Sequence, residues 1–262
     1  MLFSILACVF GGTMRNREFI IYEDYDSLSK AVALRMAEFV RTNPQSLLCL
    51  AAGETPLGAL RALVALQSEN KVDLRTCWYV GLDEWLGLGY GDPGSCAQIM
   101  QDIFYGPAGI PSDHLSVFDG LDEDTDFQTK KAFDFIKARG GISLALLGIG
   151  MNGHLGFNEP GTTVDFPGGT IDLDETTRTV GKKYFAKPFP LDKGITIGLK
   201  HLLAAKRILL MANGEKKAGI VETCMRESPD PSRPASFLQD HPGFELYLDK
   251  GAASRLLDRN QE

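Results

Sequence analysis

Four short, largely apolar runs each end in a cluster of glycine or polar residues, and this pattern limits the folds open to the chain. Runs of this length that are bounded by turn residues are typical of buried strands. Segments with the apolar spacing of helices separate them, and strands that alternate with helices predict right-handed βαβ units on a mostly parallel sheet. We therefore predict a single-domain α/β fold with a mostly parallel, Rossmann-like sheet and helices on both faces. The four runs are SLLCLA at 46–51, CWYVGL at 77–82, LALL at 144–147 and RILLMA at 207–212.

Further elements follow from helical spacing and from capping residues. Apolar residues between Leu28 and Val40 line one side of a helix that Asp24 or Asp26 would cap. The stretch 162–177 has no Lys or Arg, is rich in turn residues and is predicted as a loop. The other predicted elements are strands at 18–22, 195–199 and 244–248 and helices at 56–66, 93–105, 120–139 and 218–225.

The amino-terminal residues differ from this pattern. The opening MLFSILACVFGG is apolar, but no basic region precedes it and no convincing cleavage site follows, so we interpret it as an extension rather than a signal segment. We place the extension at 1–15 and the domain at 16–262. The rest of the sequence offers no stretch long and apolar enough to suggest a membrane span.

Composition and charge argue against several classes of function. A net charge of −7 argues against a nucleic-acid partner, because such partners require a basic surface. It leaves a small anionic substrate open, since a few local cations can hold one phosphate. The five cysteines are scattered and form no C-x-x-C pair, which is typical of reduced thiols in a cytoplasmic protein. His114, His201 and His241 stand alone in the sequence, so we predict no metal site.

The stretch LALLGIGMNGHLGFNEPG at 144–161 concentrates the polar residues most suited to catalysis. Its glycines oppose both strand and helix, so a loop must follow the apolar run. That loop carries Asn152, His154, Asn158 and Glu159 within eight residues. Because functional side chains often lie on loops held by a rigid scaffold, we expect this loop to form part of an active site.

The same loop contains a pattern that is typical of dinucleotide-binding sites. Residues 148–153 read G-x-G-x-x-G after a strand, and Asp172 lies about 20 residues further on. Such a site needs a helix that begins at the third glycine, whereas Gly156 and Pro160 both oppose a helix here. We therefore predict that the protein uses no cofactor.

A second group of residues favours anion binding. The first apolar run is followed by AGETP at 52–56, and proline suits the first turn of a helix. A strand that ends in a glycine turn at a helix start leaves N–H groups free for an anion, although an ordinary strand–helix turn explains the same pattern. Gly53, Asp83, the loop 152–159 and Lys217 all follow predicted strands directly. Because ligands in such folds bind beyond the carboxyl ends of the strands, we expect these residues to converge on one edge of the sheet.

The segment GIGMNGHLGFNEPG resembles the active-site motif of the glucosamine-6-phosphate deaminase (isomerase) family. Members of that family convert a 2-amino-2-deoxyaldose 6-phosphate and water to fructose 6-phosphate and ammonia. The resemblance extends over most of the chain and implies a small sugar phosphate as the substrate. Other segments similar to the family's are AGETP, LDEWLGLG and PASFLQDHP.

The resemblance implies a role for each candidate residue. In LDEWLGLG the first acid, Asp83, would be the catalytic base that moves a proton between C2 and C1 of the sugar. His154 would open the sugar ring, because an imidazole with an ordinary pKa of about 6.5 exchanges protons near neutral pH. Asn152 and Glu159 would fix the orientation and tautomer of that imidazole. The residues implied to contact the phosphate are Gly53, Glu54, Thr55, Lys183 and Lys217.

Two departures from the family pattern bear on phosphate binding. The family usually has Thr-Gly-Ser or Thr-Gly-Gly before Thr-Pro, whereas this chain has Ala52, Gly53 and Glu54, which places a carboxylate close to a dianion. Lys183 stands where the family has an arginine, and lysine is a point charge rather than a two-pronged donor.

Two alternative functions remain open from the sequence. The 6-phosphogluconolactonases share the architecture but resemble D-G-H followed by an apolar stretch, unlike NGHLGFNEP here. A sugar-phosphate sensor that binds without turnover is the other alternative, and Glu54 and Lys183 favour it. Asp83, His154 and Glu159 together favour an enzyme, because a pure binding protein needs neither a base nor a ring-opening group.

The amino sugar and the assembly are also open. Glucosamine 6-phosphate is the first expected substrate. Galactosamine 6-phosphate is a close second, because Trp85 and PGSC at 93–96 resemble the galactosamine-6-phosphate branch of the family. A homo-oligomer is compatible with the resemblance.

Overall fold

A computed structural model of the protein describes residues 8–14, 17–185 and 189–258. Within these ranges the chain forms one large sheet with helices on both faces and one small sheet. The strands are β1 (Cys8–Met14), β2 (Arg17–Tyr22), β3 (Leu47–Leu50), β4 (Trp78–Gly81), β5 (Asp83–Trp85), β6 (Leu115–Ser116), β7 (Leu144–Gly148), β8 (Gly168–Asp172), β9 (Lys193–Ile197), β10 (Arg207–Ala212) and β11 (Phe244–Asp249). The α-helices are α1 (Tyr25–Thr42), α2 (Glu54–Ser68), α3 (Cys96–Met100), α4 (Thr125–Ala138), α5 (Glu175–Gly181), α6 (Leu199–Leu203), α7 (Ala218–Arg226) and α8 (Lys250–Asp258).

The large sheet has the strand order β1-β2-β11-β10-β7-β3-β4-β6. Its neighbouring strands are parallel except for the antiparallel β1–β2 pair, which confirms the predicted α/β fold. Strands β3 and β7 lie in the interior of the sheet, and their side chains are almost all buried. Because helices cover both faces, these strands are continuous apolar runs rather than alternating ones.

Two apolar cores, one on each face of the large sheet, hold the helices in place. Helices α1, α2 and α3 pack on one face, where Leu28, Leu60 and Met100 are buried. Helices α4, α6, α7 and α8 cover the other face, where Leu202 and Val221 are buried. The prediction of helices on both faces is therefore confirmed.

The small sheet, in the order β5-β9-β8, is the main difference from the sequence-based prediction. The stretch 162–177, predicted as a loop, contains β8 and the start of α5. Strand β8 reads GGTID, and Gly168 and Gly169 have φ angles of +121° and +134°. A Cβ on Gly168 would lie 2.4 Å from the Thr196 carbonyl oxygen of β9, so the close approach of β9 requires glycine there. Pairing with β9, and not local propensity, makes this segment a strand.

Two predicted helices are shorter or more divided than expected. The predicted helix at 120–139 loses its first turn, because Asp124 caps α4. The predicted helix at 93–105 begins after the capping residue Ser95 and consists of α3 followed by a π-helical turn at Gln101–Tyr105.

Part of the amino-terminal region forms an edge of the large sheet. Residues 8–14 form β1, which pairs with β2, whereas residues 1–7 lie outside the described residues. The boundary between an extension at 1–15 and a domain at 16–262 stays a prediction. Of the helices in the described ranges, none combines the length and the apolar character that crossing a membrane requires.

Candidate active site

A pocket of about 180 Å³ opens where strands β3, β4, β7 and β10 end. The structure therefore brings together residues that were predicted to converge on this edge of the sheet. Seven of the predicted site residues line the pocket: Gly53, Glu54, Thr55, Asp83, His154, Lys183 and Lys217. The other two, Asn152 and Glu159, contact His154 and do not line the pocket.

Glycines allow the loop after β7 to approach its neighbours closely. A Cβ on Gly150 would lie 2.4 Å from atoms of the His154 ring, so a side chain at position 150 would displace the imidazole. Gly156 has a φ of +56°, and a Cβ there would lie 3.1 Å from Asp83 Oδ2. The glycine pattern that opposes regular structure thus also brings His154 and Asp83 to the same pocket.

Asn158, a polar residue of the loop, fastens it to the small sheet. Its side chain is fully buried, and its amide donates hydrogen bonds to the carbonyl oxygens of Leu155 and Ile197. The Phe157 N–H donates to Thr196 Oγ1 at 3.3 Å. These bonds hold the loop against β9. His154, from the same loop, contributes its imidazole to the pocket.

His154 contacts two elements. Its Nδ1 lies 3.0 Å from Thr177 Oγ1 on α5 and 3.4 Å from Glu159 Oε2 on its own loop. The Asn152 amide nitrogen donates to Glu159 Oε2 at 3.2 Å and to Asp174 Oδ1 at 3.0 Å. Asn152 Oδ1 accepts a hydrogen bond from the His154 N–H at 3.2 Å. One amide therefore links two carboxylates beside the imidazole.

Sequence reasoning found Asn152 and Glu159 in this group but missed Asp174 and Thr177. Both belong to the start of α5, within the stretch that was predicted as a loop. A signal was present, since Asp174 accepts a hydrogen bond from the Thr176 N–H as the capping residue of α5. An aspartate just before a short helix is a recognised start pattern.

Glu84, beside Asp83, is fully buried and received no role from the sequence. Its carboxylate accepts four hydrogen bonds of 2.7–2.9 Å, three of them at the start of α3. Burial raises the pKa of Glu84, and these hydrogen bonds oppose the rise. A carboxylate that accepts several donors is stabilised in its ionised form, so these four donors favour a negative charge on Glu84 next to Asp83, against the effect of burial. The donors are the Ser95 hydroxyl and the N–H groups of Trp85, Cys96 and Ala97.

Asp83 lies at the start of β5 and is partly exposed to the pocket. Loss of solvent around it, together with the charges of Glu84 and Glu159, raises its pKa to about 7, although a hydrogen bond with Cys96 opposes this shift. A carboxyl group with such a pKa can accept a proton and return it near neutral pH. Asp83 and His154 line the pocket, whereas Glu84 adjoins Asp83 and Glu159 contacts His154 outside the lining; we call these four residues together the pocket floor.

The start of α2 and two lysines also line the pocket, and we call Glu54, Lys183 and Lys217 the pocket mouth. Gly53 is the N-cap of α2 and has no side chain to accept from the first N–H groups, so the helix start is open to an anion. Glu54 Oε2 and Lys183 Nζ form an ion pair at 2.6 Å. Lys217 Nζ donates to the Ile149 carbonyl oxygen, and partial burial together with the charge of Lys183 lowers its pKa to about 8.

The other histidines have structural contacts. His114 stacks on Trp78, and His201 packs against Phe133. His241 is buried, with its Nε2 2.8 Å from a backbone carbonyl oxygen. In the part of the chain that the structure describes, no three His, Cys, Asp or Glu side chains are grouped to hold a metal ion.

The fold and the pocket define an α/β enzyme that is equipped to move protons on a small anionic substrate. Its sheet places an acid, a histidine and an open helix start around one cavity. The chain belongs to the family of glucosamine-6-phosphate isomerases and 6-phosphogluconolactonases, whose family model matches residues 23–246. This match confirms the resemblance seen in the sequence.

Relatives within the family carry the name of one of its activities. A glucosamine-6-phosphate deaminase from Clostridium botulinum is 32% identical over 238 residues, which cover 90% of this chain and 98% of the relative. One from Alkaliphilus oremlandii is 35% identical over 237 residues, with 90% and 98% covered. The solved structure of a monomeric glucosamine-6-phosphate deaminase matches with a TM-score of 0.85 at 32% identity, over 89% of this chain and 97% of that one.

A lactonase of the same family shares the fold at lower similarity. The 6-phosphogluconolactonase from Trypanosoma brucei matches with a TM-score of 0.71 at 18% identity, over 90% of this chain and 97% of that one. This likeness shows a common fold, and only the residues of the site can distinguish the two activities.

Proposed function

We propose that this protein converts a 2-amino-2-deoxyhexose 6-phosphate and water to a ketose 6-phosphate and ammonia. Glucosamine 6-phosphate, which gives fructose 6-phosphate, is the first expected substrate, and galactosamine 6-phosphate is the second. The observation that carries the proposal is the convergence of Asp83, His154 and two lysines on one pocket. The names of the two curated relatives, at 32% and 35% identity, support the same reaction.

Ring opening is assigned to His154. With Nδ1 held by Glu159 and Thr177, Nε2 is the atom left to exchange protons with the substrate. In this step Nε2 takes the proton of the C1 hydroxyl and delivers it to the ring oxygen while the bond between C1 and that oxygen breaks. Glu159 stabilises the imidazolium that forms in between.

The proton shift is assigned to Asp83. Its carboxylate removes the proton from C2 of the open-chain amino aldose and returns it to C1. In the same conversion the C1 carbonyl oxygen gains a proton and becomes a hydroxyl while the amino nitrogen loses one, which leaves an imine at C2. Water then adds at C2 and ammonia leaves, so each turnover consumes one water molecule. A pKa of about 7 suits this task, since the group must be ionised to begin and must release its proton to finish.

The phosphate is assigned to the pocket mouth. The open start of α2 supplies N–H groups at Gly53 to Thr55, and Lys183 and Lys217 supply positive charge. A helix start with adjacent lysines is a common arrangement for phosphate binding. Glu54 lines the same pocket and adds a negative charge there.

Location and assembly are secondary proposals. We propose a cytoplasmic location, because Cys49, Cys77, Cys96 and Cys224 are free thiols and such thiols are typical of a reducing compartment. A homo-oligomer is proposed alongside a monomer, the state described for the similar solved deaminase. Light scattering of the purified protein decides between the two states.

The decisive experiment measures ammonia release from glucosamine 6-phosphate and galactosamine 6-phosphate side by side. Release from either substrate supports the proposal, and the ratio of the two kcat/KM values identifies the preferred sugar. Hydrolysis of 6-phosphogluconolactone without ammonia release from either sugar would make the chain a lactonase. Binding of both sugars without turnover would make it a sensor.

A further inference from the structure

The pocket mouth already contains an anion that belongs to the chain. Glu54 is the first residue of α2, the helix whose first N–H groups are assigned to the phosphate, and it lines the same pocket. It also pairs at 2.6 Å with Lys183, a cation assigned to the same phosphate. Both residues also affect the pKa of Lys217, which the charge of Lys183 lowers and the charge of Glu54 raises. All three residues line one pocket.

The backbone that carries Glu54 is held in place. The Tyr25 hydroxyl lies 2.9 Å from the carbonyl oxygens of Glu54 and Thr55, and it accepts a hydrogen bond from the Gly58 N–H at 2.9 Å. A Cβ on Gly58 would lie 2.5 Å from that hydroxyl, so glycine is needed for the contact. Thr55 Oγ1 donates to Asn213 Oδ1 at the end of β10. Only side-chain rotation can therefore separate the Glu54 carboxylate from the anion site.

We propose that Glu54 is a built-in competitor for the substrate phosphate, and that its ion pair with Lys183 opens before the phosphate binds. The inference rests on the proposed function, because it takes the mouth as the phosphate subsite. A phosphate next to a carboxylate is repelled, and Lys183 cannot neutralise both groups. Glu54 thus lowers the affinity for phosphate monoesters and leaves more of the substrate selection to the contacts at the pocket floor.

The expected effect is moderate. The side chains of Glu54 and Lys183 are 63% and 43% exposed, and exposed charges are well screened by water. We expect Glu54→Gln, which keeps the size of the side chain, to tighten phosphate binding about two- to fivefold.

Titration calorimetry tests this inference without turnover. The probes are inorganic phosphate and glucitol 6-phosphate, a hexitol that lacks the carbonyl and amino groups required for reaction. Glu69→Gln is the matched control, because Glu69 caps the other end of α2 and pairs with the exposed Lys71. Both substitutions remove one negative charge, but Glu69 lies about 22 Å further along the helix at 1.5 Å per residue.

Tighter binding of both probes by Glu54→Gln, with Glu69→Gln unchanged, supports the inference. Equal or weaker binding by Glu54→Gln would overturn it, and so would an equal gain in the Glu69→Gln control. Failure of every variant to bind either probe would also overturn it, since the mouth would then not be a phosphate subsite. If the wild-type protein releases no ammonia but Glu54→Gln still binds phosphate more tightly, the proposed reaction fails and this inference stands.

Discussion

The floor and the mouth of the pocket both contain neighbouring charged side chains, but they differ in exposure to water. On the floor, Glu84 is fully buried and the pKa of Asp83 is raised to about 7. At the mouth, the side chains of Glu54 and Lys183 are 63% and 43% exposed. Coulomb interactions strengthen as the effective dielectric falls, so one unit of charge has a larger effect on the floor than at the mouth.

This difference suits the chemistry assigned to each group of residues. Proton transfer from carbon needs a carboxylate whose pKa is shifted towards neutrality, and that shift requires exclusion of water. Phosphate binding needs only attraction, which survives partial screening. We therefore expect substitutions on the floor to change kcat and substitutions at the mouth to change KM.

The largest effect is expected for Asp83→Asn. The amide keeps the shape of the side chain but cannot take a proton, so kcat should fall about 10²- to 10⁴-fold while substrate binding stays close to normal. Steady-state kinetics and a binding titration with glucitol 6-phosphate measure the two quantities separately. Near-normal turnover would show that Asp83 is not the base. It would also contradict the expectation that substitutions on the floor change kcat.

The next largest effect is expected for His154→Gln. Loss of the imidazole should slow ring opening, with a fall in kcat on the order of 10²-fold. A substrate analogue that is already open-chain should recover part of the lost rate of proton exchange at C1 and C2, measured by deuterium incorporation. If the open-chain analogue reacts as slowly as the cyclic sugar, His154 acts at another step.

The raised pKa of Asp83 also predicts a dependence of stability on pH. Its folded-state pKa of about 7 lies above the unfolded value of 3.8, so the folded protein binds more protons between these values and loses stability as the pH rises from about 4 to about 7. The Asp83→Asn variant should not show this loss of stability, because its side chain does not ionise. At pH 8 the free energy of unfolding of the variant should exceed that of the wild type by about 1–2 kcal/mol, which is less than the full pKa shift implies because water in the pocket screens the charge.

Denaturant titrations at pH 8 and at pH 4 measure this stability difference. The advantage of the variant should be present at pH 8 and vanish at pH 4, where the wild-type carboxyl group is largely protonated in the folded state. A variant that is less stable than the wild type at pH 8 would mean that the Asp83 carboxylate is not under electrostatic strain.

A smaller effect is expected for Asp174→Ser. Serine caps helices about as well as aspartate, so α5 should persist, but the contact of Asp174 with Asn152 is lost. We expect kcat to fall about fivefold, the equivalent of one hydrogen bond, with KM and the melting temperature nearly unchanged. As for His154, an open-chain analogue should recover the rate. A change in melting temperature without a change in kcat would give Asp174 a structural role only.

The smallest effect is expected at the mouth, for Lys183→Gln. Because Glu54 already neutralises much of its charge, removal of Lys183 should raise KM about two- to threefold and leave kcat within about twofold. In the Glu54→Gln background the same substitution should raise KM more, since the lysine is then free for the phosphate. Equal effects in the two backgrounds would show that Glu54 and the phosphate do not share Lys183.

The parts of the fold that could be predicted have local signals. The apolar runs at 46–51 and 207–212 became β3 and β10 because burial on both faces selects continuous apolar sequence. Strand β8 had no such signal, since its glycines take φ values that only its pairing with β9 explains. Because β8 and the start of α5 were not predicted, the contacts of Asp174 with Asn152 and of Thr177 with His154 were not predicted either.

By itself, the sequence determined the parallel sheet and the edge at which its polar residues gather, because parallel strands present all their carboxyl ends on one side. It also determined which residue types stand at that edge. Only the tertiary structure decided which of them meet. Glu54 pairs with a lysine 129 positions further along the chain, and Asp174 reaches Asn152 across 22 positions. Contacts between distant elements depend on how helices and strands pack against each other, and no local pattern of residues encodes that packing.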